Sequence, residues 1–412
     1  MTINLPEPKR VLNDVNRIKD LEGRYEYVQH YVDTVPEDED NSLKSWDTWL
    51  DNPELKWNHR EIQYYTHGLD DLYNQMLHSL TNGLTGAGKT TLMLSILREY
   101  IDRGAYVLYR DDGKKEFRYL AYHFPHDTRI WIPNDKNCEL TLFGIPHEVE
   151  IAKFDTAQDI INQVYKFDKQ LNVIVYDPYS RPGPEGWKMK SDFYSMLFES
   201  LLLKVQGLRD SHKKHLIFNI DELNDLIPPM GKGTTGSSVR AAIEVDIRKL
   251  RGHNVQLFGS THRFNQISID TRSQMKNIFL KQSYGWDTYS FLSHNLISSS
   301  PKTFWGLLKK VSQMPANTYL LFDKNRNFDL CTFPDIPRPP GLDCECIGTL
   351  PEVEDKKTKI QNRRLAFMYY YGKGWSHGQI AKATGATVTT VGNDVGEMVH
   401  QRKLVDPDLK PQ

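Results

Sequence analysis

The chain is poor in cysteine, carries almost no net charge and contains no long hydrophobic run. It has four cysteines in 412 residues, with 52 Lys and Arg against 53 Asp and Glu, for a net charge of −1. This balance excludes a globally basic, histone-like binder of nucleic acid, although local basic patches stay possible. No apolar run approaches the roughly 20 residues that a membrane helix needs, and the first residues do not resemble a signal peptide. We therefore expect a cytoplasmic protein that does not insert into a membrane.

The cysteines lack the pattern of a structural zinc site. Cys344 and Cys346 form a closely spaced pair, but neither Cys138 nor Cys331 belongs to a second such pair. Zinc sites of this kind need four ligands, and disulfide frameworks belong to oxidising compartments. The sequence predicts four ordinary thiols.

Short apolar runs rich in β-branched residues alternate with helical stretches between about residues 75 and 333. Such alternation predicts βαβ units and a parallel sheet that is buried on both faces. A terminal hairpin follows at residues 319–322 and 328–332. The predicted strands cover residues 105–109, 173–176, 216–220, 255–259 and 278–281, and the predicted helices cover residues 89–101, 157–170, 191–209 and 239–250.

Composition divides the chain into four regions. Residues 1–60 are polar and acidic, with no function that their sequence indicates. Residues 61–333 contain the α/β pattern, residues 334–359 form a linker rich in proline and polar residues, and residues 360–412 form a small helical domain. The predicted fold is thus an α/β parallel sheet with an additional all-α domain.

A phosphate-binding loop is the strongest signal in the sequence. Residues 83–90 match the pattern G-x-x-x-x-G-K-[ST], and an apolar helix follows at once. In such a loop Lys89 would reach the β- and γ-phosphates of ATP, and the Thr90 hydroxyl would bind Mg²⁺. A glycine-rich turn that matches by chance is the alternative. The predicted nucleotide-binding residues are Gly83, Leu84, Thr85, Gly86, Ala87, Gly88, Lys89, Thr90 and Thr91.

Two strand ends offer the acidic residues that ATP hydrolysis needs. The strand at 216–220 runs into Asp221 and Glu222, and the strand at 173–176 runs into Asp177. Adjacent acids allow a division of labour, in which Asp221 holds the metal and Glu222 activates the attacking water. We therefore favour Asp221 and Glu222, and interpret Asp177 as a turn residue.

Polar residues near the strand at 255–259 complete the predicted site. His262 follows this strand, at the edge where ligands bind in open α/β sheets, and could sense the γ-phosphate. The alternative interpretation of His262 is a purely structural role.

Arg251 lies at a helix end before the same strand, where it could project across a subunit boundary to neutralise transition-state charge. A solvated helix face is the alternative for Arg251, and the other candidate arginines are Arg248, Arg263 and Arg272.

The order of these motifs resembles the FtsK/HerA class of P-loop ATPases, which includes DNA-packaging ATPases of viruses. The resemblance rests on residues 83–90, 218–222, 251–253 and 259–267, and it spans roughly residues 75–333. In that class a glutamine usually closes the fourth strand, whereas this chain has His262. The resemblance implies a RecA/FtsK-like sheet and a six-membered ring of identical subunits that moves double-stranded DNA with ATP. It also implies a virus or mobile element as the source, and hence the host cytoplasm as the location.

The last 50 residues resemble the helix-turn-helix domains of resolvases and regulators. Ser376 can cap a second helix, Gly385 can provide the turn, and Thr387 can cap a third helix. From residue 356 onward the chain has ten basic and four acidic residues, a net charge of +6, which suits DNA. A domain that docks onto protein is the alternative, and Asp394 favours it slightly. The residues predicted to contact DNA are Thr387, Thr389, Thr390 and Asn393.

Together these features predict an ATP-driven DNA motor with a C-terminal domain that reads DNA. A regulator that binds DNA under the control of ATP, without moving along it, is the main rival. A membrane-associated secretion ATPase is disfavoured by the absence of a long apolar run.

Overall fold

A large, mostly parallel sheet organises the chain. The computed structural model describes residues 8–18, 21–34, 58–60, 72–177, 184–208, 214–227, 244, 247–295, 301–324, 328–333, 336–345 and 356–405. The strands are β1 (Asn58–Arg60), β2 (Ser79–Asn82), β3 (Tyr106–Asp111), β4 (Thr128–Pro133), β5 (Glu139–Leu142), β6 (Ile145–Pro146), β7 (Glu150–Phe154), β8 (Leu171–Val175), β9 (Leu216–Ile220), β10 (Val255–Thr261), β11 (Asn277–Leu280), β12 (Thr318–Phe322), β13 (Phe328–Thr332) and β14 (Leu342–Glu345). The helices are α1 (Pro8–Arg17), α2 (Leu21–Thr34), α3 (Lys89–Asp102), α4 (Arg118–His123), α5 (Ala157–Val164), α6 (Pro184–Gln206), α7 (Ile269–Gln274), α8 (Trp286–Asn295), α9 (Pro301–Ser312), α10 (Lys356–Gly372), α11 (His377–Thr384) and α12 (Val388–Val405).

Strand order confirms the predicted α/β class. The large sheet has the order β1-β13-β12-β11-β2-β10-β9-β3-β8-β4-β7, and β14, β5 and β6 form a small second sheet. Neighbours from β11 through β2, β10, β9, β3, β8 and β4 to β7 are all parallel, whereas β12 is antiparallel to both β11 and β13. Because β2, β10, β9 and β3 are parallel neighbours, their carboxyl ends meet at one edge of the sheet.

Strand β2 is central although its sequence is polar. All four of its residues are buried, and it pairs in parallel with β10 and β11. Polar side chains in and beside β2 form hydrogen bonds with neighbouring segments, which an apolar strand would not need. His78 accepts a hydrogen bond from Leu257 N at 2.9 Å and donates to the Ile247 carbonyl at 2.7 Å, and Gln256 donates to the Ser79 hydroxyl at 3.2 Å. These hydrogen bonds satisfy the buried polar side chains. They explain how a strand with a weak hydrophobic pattern can stand in the centre of the sheet, directly before the glycine-rich loop.

The predicted helices differ from the observed ones mainly at their ends. Helix α3 closely matches its prediction, but α5 ends at Val164, six residues before the predicted end, because the chain must turn into β8. Helix α6 begins at Pro184 rather than at residue 191, since proline fits the first turn of a helix. Of the predicted helix 239–250, the structure describes only residues 244 and 247–250.

Part of the acidic N-terminal region packs onto the α/β body. Helices α1 and α2 lie against α8 and α9, and the Tyr31 ring lies 5.4 Å from the ring of Trp305. Val15 and Val28 are buried there, and β1 pairs in parallel with β13 at the end of the sheet. A run of four acidic residues at 37–40 lies outside the described residues.

The segment predicted as a linker is also packed where the structure describes it. Ile336 is buried in the core, and β14 pairs in antiparallel register with β5. The glycine at 341 has a φ of +72°, and its carbonyl accepts a hydrogen bond from Phe143 N at 2.7 Å. Residues 336–345 therefore belong to the α/β body, so the predicted boundary at residue 333 does not coincide with a break in packing.

Helices α10, α11 and α12 form a module with its own small core. Phe367, Ile380, Val391 and Val395 are buried in it, with Ala381 beside them. Ser376 forms a capping box with Gln379, Gly385 has a φ of +67° and the Thr387 hydroxyl accepts from Thr390 N at 3.1 Å. These contacts confirm the predicted caps and turn. Val388, in the first turn of α12, is exposed.

This module also contacts the α/β body. The Tyr369 hydroxyl on α10 forms a hydrogen bond with the Tyr122 hydroxyl on α4, and the Lys373 ammonium donates to Tyr122 at 3.1 Å. The Tyr369 ring lies 5.9 Å from that of Phe143. The module therefore rests on the body at helix α4 and at Phe143.

The prediction of four ordinary thiols holds for two cysteines. Cys331 and Cys344 are buried and form no disulfide, whereas Cys138 is disulfide-bonded, so the prediction is wrong there. The Cys138 sulfur lies beside the small sheet, 3.7 Å from the Cys344 sulfur. Cys346 lies outside the described residues. Within the described ranges, no helix has the length and apolar character needed to cross a bilayer.

Candidate nucleotide-binding site

The glycine-rich loop joins β2 to α3 at the carboxyl edge of the sheet. Leu84 N donates to the Gln282 carbonyl at 2.9 Å, which fixes the loop beside the end of β11. Gly88 has a φ of +82°, and a Cβ there would lie 2.9 Å from the Ala316 carbonyl oxygen. Only glycine fits this combination of left-handed backbone and close approach. Helix α3 then begins at Lys89, so its free N–H groups face the loop.

Lys89 is held inside the loop by backbone carbonyls. Its ammonium donates to the carbonyls of Gly83 and Leu84 at 2.9 and 3.0 Å, and to His262 Nδ1 at 2.9 Å. Burial lowers the pKa of this ammonium below its ordinary value, while Glu222 and Asp221 oppose that shift. The loop thus encloses the Lys89 ammonium, which was predicted to bind phosphate. Its partners here are neutral groups, so phosphate oxygens can replace them.

Asp221 and Thr90 provide adjacent oxygen donors. The Thr90 hydroxyl donates to Asp221 Oδ2 at 3.0 Å, and the Ser260 hydroxyl donates to Asp221 Oδ1. Burial would raise the pKa of the Asp221 carboxyl, but Lys114, Ser260 and Thr90 together hold it below its ordinary value. A hydroxyl next to an ionised carboxylate is a donor set that suits Mg²⁺, which prefers oxygen ligands and keeps several waters. The residues therefore fit the metal that the sequence predicts.

Glu222 and His262 form a polar connection across the cleft. His262 Nε2 lies 2.8 Å from Glu222 Oε1. An ammonium can only donate, so Nδ1 of His262 accepts from Lys89, and Nε2 carries the proton that is donated to Glu222. Glu222 has a left-handed backbone, with a φ of 51°, and its N–H donates to Ser260 at 3.0 Å. From this unusual backbone conformation the Glu222 carboxylate contacts His262.

The sequence analysis missed Lys114, which joins both acidic residues. It follows β3 in a polar turn, and its ammonium lies 3.0 Å from Glu222 Oε1 and 3.3 Å from Asp221 Oδ2. Burial would lower the pKa of this ammonium, but Asp221, Asp112 and Glu222 raise it above its ordinary value. The sequence did contain a signal for Lys114, because this residue closely follows the predicted strand at residues 105–109. In the structure the carboxyl end of that strand, β3, lies beside the carboxyl end of β9.

Asp177 takes part in a buried ion pair. Its carboxylate accepts from Arg110 at 2.5 Å and from the Tyr194 hydroxyl at 2.6 Å. Arg110 lies on β3 and also donates to the Asp221 carbonyl at 3.3 Å. Burial would raise the pKa of the Asp177 carboxyl, but Arg110 holds it below its ordinary value. The interpretation of Asp177 as a turn residue did not include this ion pair. Arg110 links the ends of β8 and β9.

These side chains surround a cleft of about 440 Å³ at the loop. Its lining residues are Thr85, Gly86, Gly88, Lys89, Thr90, Thr91, Lys114, Glu116, Glu222, His262 and Arg338. The structure thus brings the predicted loop, Glu222 and His262 to one cavity, with Asp221 buried beneath Thr90. The cleft also contains Arg338, from the segment that was predicted to be a linker.

The predicted arginine finger does not lie at this cleft in its own chain. Arg251 is exposed and precedes β10, whereas the cleft lies where β10 ends. Arg251 also acts electrostatically on His78, at the start of β2. Arg263 lies on the cleft side, where it lines a neighbouring cavity of about 300 Å³ with His262 and Leu84. Any role of Arg251 in hydrolysis therefore needs a second subunit.

The residues predicted to contact DNA lie at the start of α12. Thr387, Thr389 and Asn393 are exposed, and Thr390 is half-buried. Asp394 is buried instead, and its carboxylate pairs with Arg363 at 2.7 Å and with Arg364 at 3.1 Å. Asp394 therefore does not face outward. Its charge is neutralised inside the module and no longer favours protein docking over DNA.

Solved structures resemble part of the chain at low sequence identity. The chain is similar to the genome-packaging NTPase B204 from Sulfolobus turreted icosahedral virus 2 in complex with AMPPCP, at 14% identity and a TM-score of 0.38, over 62% of this chain and 97% of that one. It is also similar to the plasmid coupling protein TrwB in complex with ADP and Mg²⁺, at 13% identity and a TM-score of 0.42, over 65% of this chain and 87% of that one. No family model and no curated protein matches the chain.

Proposed function

We propose that the chain binds ATP in the cleft above β2 and hydrolyses it. The observation that carries this proposal is the meeting of Lys89, the Thr90–Asp221 pair and Glu222 at the carboxyl ends of β2 and β9. Phosphates would replace the carbonyl partners of Lys89 and take up the free N–H groups at the start of α3. Thr90 and Asp221 would hold Mg²⁺, which neutralises charge on the phosphate oxygens.

Glu222 is the base in the proposed hydrolysis. The oxygen of a water molecule attacks the γ-phosphorus while Glu222 accepts its proton, and the bond from the γ-phosphorus to the bridging oxygen breaks. ADP and inorganic phosphate are the products. His262 connects the Lys89 ammonium to the Glu222 carboxylate by hydrogen bonds. Binding of the γ-phosphate at Lys89 can therefore affect Glu222 through His262. Lys114 neutralises part of the carboxylate charge before nucleotide binds.

We further propose that ATP hydrolysis moves double-stranded DNA. The motif order that resembles FtsK/HerA ATPases supports this part of the proposal, as does the basic C-terminal module with exposed polar residues in the first turns of α12. The module would hold DNA through Thr387, Thr389, Thr390 and Asn393. Genome packaging by a ring of six subunits is the specific form that we favour.

A DNA-stimulated ATPase assay, combined with displacement of a protein roadblock from the duplex, tests the proposal. The wild-type chain should hydrolyse ATP faster with DNA and should remove the roadblock, whereas Lys89→Ala should do neither because the loop loses its cation. Unchanged turnover in a folded Lys89→Ala protein would contradict the nucleotide site. Hydrolysis without displacement would instead favour the DNA-binding regulator.

A chain cut after residue 345 separates the roles of the two parts. The cut keeps β14, which belongs to the small sheet of the body. Basal hydrolysis should persist, and DNA affinity should fall with a smaller dependence on salt. Equal DNA affinity of the cut and full chains over a salt series would mean that the module docks onto protein.

A further inference from the structure

Arg338 belongs to the packed segment that connects β13 to β14. Ile336 anchors one side of it in the core, and β14 anchors the other side against β5. Between these anchors the Arg338 guanidinium donates to the Thr91 hydroxyl at 2.7 Å and lies 5.1 Å from the centre of the Tyr119 ring. The segment thereby places a cation at the first turn of α3.

The position of Arg338 differs from that of Lys89. Lys89 is the first residue of α3 and points back into the loop, towards Gly83, Leu84 and His262. Thr91 is the third residue of α3, and Arg338 lies there. In a phosphate-binding loop the lysine reaches the β- and γ-phosphates, while N–H groups of the loop and the helix start hold the α- and β-phosphates. A cation at Thr91 therefore stands at the α-phosphate side.

The guanidinium is available to an anion. Arg338 is exposed and lines the cleft, and one of its five N–H donors is used on the Thr91 hydroxyl. Within the part of the chain that the structure describes, no carboxylate lies within ion-pair distance of it. A phosphate is the partner that its planar donor fork suits best.

We propose that Arg338 binds the α-phosphate of the nucleotide. The proposal rests on the proposed function, because it assumes that ATP occupies the cleft. Its consequence is a link between the nucleotide and the segment that leads to the C-terminal module. Since binding is reciprocal, a nucleotide held by Arg338 must stabilise the packing of residues 336–345. The module rests on Tyr122, one turn along α4 from Tyr119.

Nucleotide titration of the full chain tests this assignment. Arg338→Ala should raise the Kd values of ATP and of ADP by the same factor, about tenfold or more, because both nucleotides carry the α-phosphate. Arg338→Lys should recover part of the loss. Arg118→Ala is the matched control, since Arg118 also lies over the Tyr119 ring, at 5.0 Å, but does not line the cleft. This control should bind both nucleotides as the wild type does.

Hydrogen exchange supplies the second measurement. Saturating ADP should protect the amides of residues 336–345 in the wild type but not in Arg338→Ala, a difference that a purely structural arginine would not produce. Unchanged ADP affinity in Arg338→Ala, or a loss confined to ATP, overturns the α-phosphate assignment and leaves the proposed function standing. Failure of the wild type to bind either nucleotide more tightly than Lys89→Ala overturns both proposals.

Discussion

Glu222 and Asp177 show how similar carboxylates at neighbouring strand ends acquire different environments. Glu222 faces the cleft, where His262 and Lys114 are its partners. Asp177 is enclosed by Arg110 and Tyr194 and does not line the cleft among the described residues. Sequence alone favoured Glu222 because two acids follow β9, but it could not show the arginine that pairs with Asp177, since that arginine lies on a different strand.

Glu222→Gln should bind ATP but hydrolyse it at least a hundredfold more slowly. The amide keeps the shape of the side chain and can still accept a hydrogen bond from His262, but it cannot take a proton from water. Single-turnover hydrolysis and nucleotide titration measure the two properties separately.

Asp177→Asn is the matched control for this prediction. It should hydrolyse ATP but unfold more easily, by about 3 kcal/mol, because the buried Arg110 loses the nearer of its two carboxylate partners. If Asp177→Asn stops hydrolysis at full stability while Glu222→Gln remains active, the base has been assigned to the wrong strand.

At the scale of elements, β2 depends on side chains that the hydrophobic pattern does not reveal. His78 bridges the start of β2 to β10 and to the carbonyl of Ile247. Burial lowers the pKa of His78 to about 4, although the hydrogen bond to Ile247 opposes the shift and Arg251 adds to it. The unfolded chain therefore binds a proton at His78 between about pH 6.5 and 4, where the folded chain does not. His78 must lower the stability of the fold as pH falls through this range.

His78→Gln should make stability less sensitive to acid. Glutamine can donate and accept in place of the ring but does not titrate, so the free energy of unfolding of the variant should gain roughly 2 kcal/mol relative to the wild type between pH 7 and pH 4.5. Urea unfolding at several pH values measures the difference. Burial raises the pKa of Asp111 to about 7, so Asp111 changes stability with pH in the opposite direction. Both proteins contain Asp111, so its contribution cancels in the comparison. Parallel pH profiles would show that His78 does not titrate in this range.

The sequence predicted the elements around the site better than those at the margins. Strands β9 and β10 are fully buried and mostly apolar, so their patterns and the residues that follow them were clear. Helices α8 and α9 were not predicted, and neither were β4 and β7, which extend the sheet. Residues 336–345 were predicted as part of a linker because three prolines and a glycine lie close together in them. Their packing depends on contacts with Phe143 and β5 that are distant in sequence, so local composition could not show that Arg338 reaches the cleft.

For the whole molecule, the position of Arg251 makes the predicted ring testable. Arg251 is exposed and lies before β10, away from the cleft of its own chain, so it could complete only a neighbouring subunit's site. Arg251→Ala should then bind ATP normally and hydrolyse it about a thousandfold more slowly, since an arginine finger contributes at least that much. Arg248 lies nearby on the same exposed face, so Arg248→Ala should be measured beside it.

Mixing two inactive variants decides whether Arg251 acts across a subunit boundary. Arg251→Ala keeps an intact loop, and Lys89→Ala keeps an intact arginine, so a mixed ring contains some interfaces in which both are present. Activity should partly return in that mixture. Glu222→Gln mixed with Lys89→Ala is the control, because Glu222 and Lys89 line the same cleft of one chain and no subunit in that ring has a complete site. Recovery in the first mixture alone would establish action in trans. If co-assembly is confirmed by mass and neither mixture recovers, Arg251 is not a finger, and the ring prediction loses the residue on which its chemistry depends.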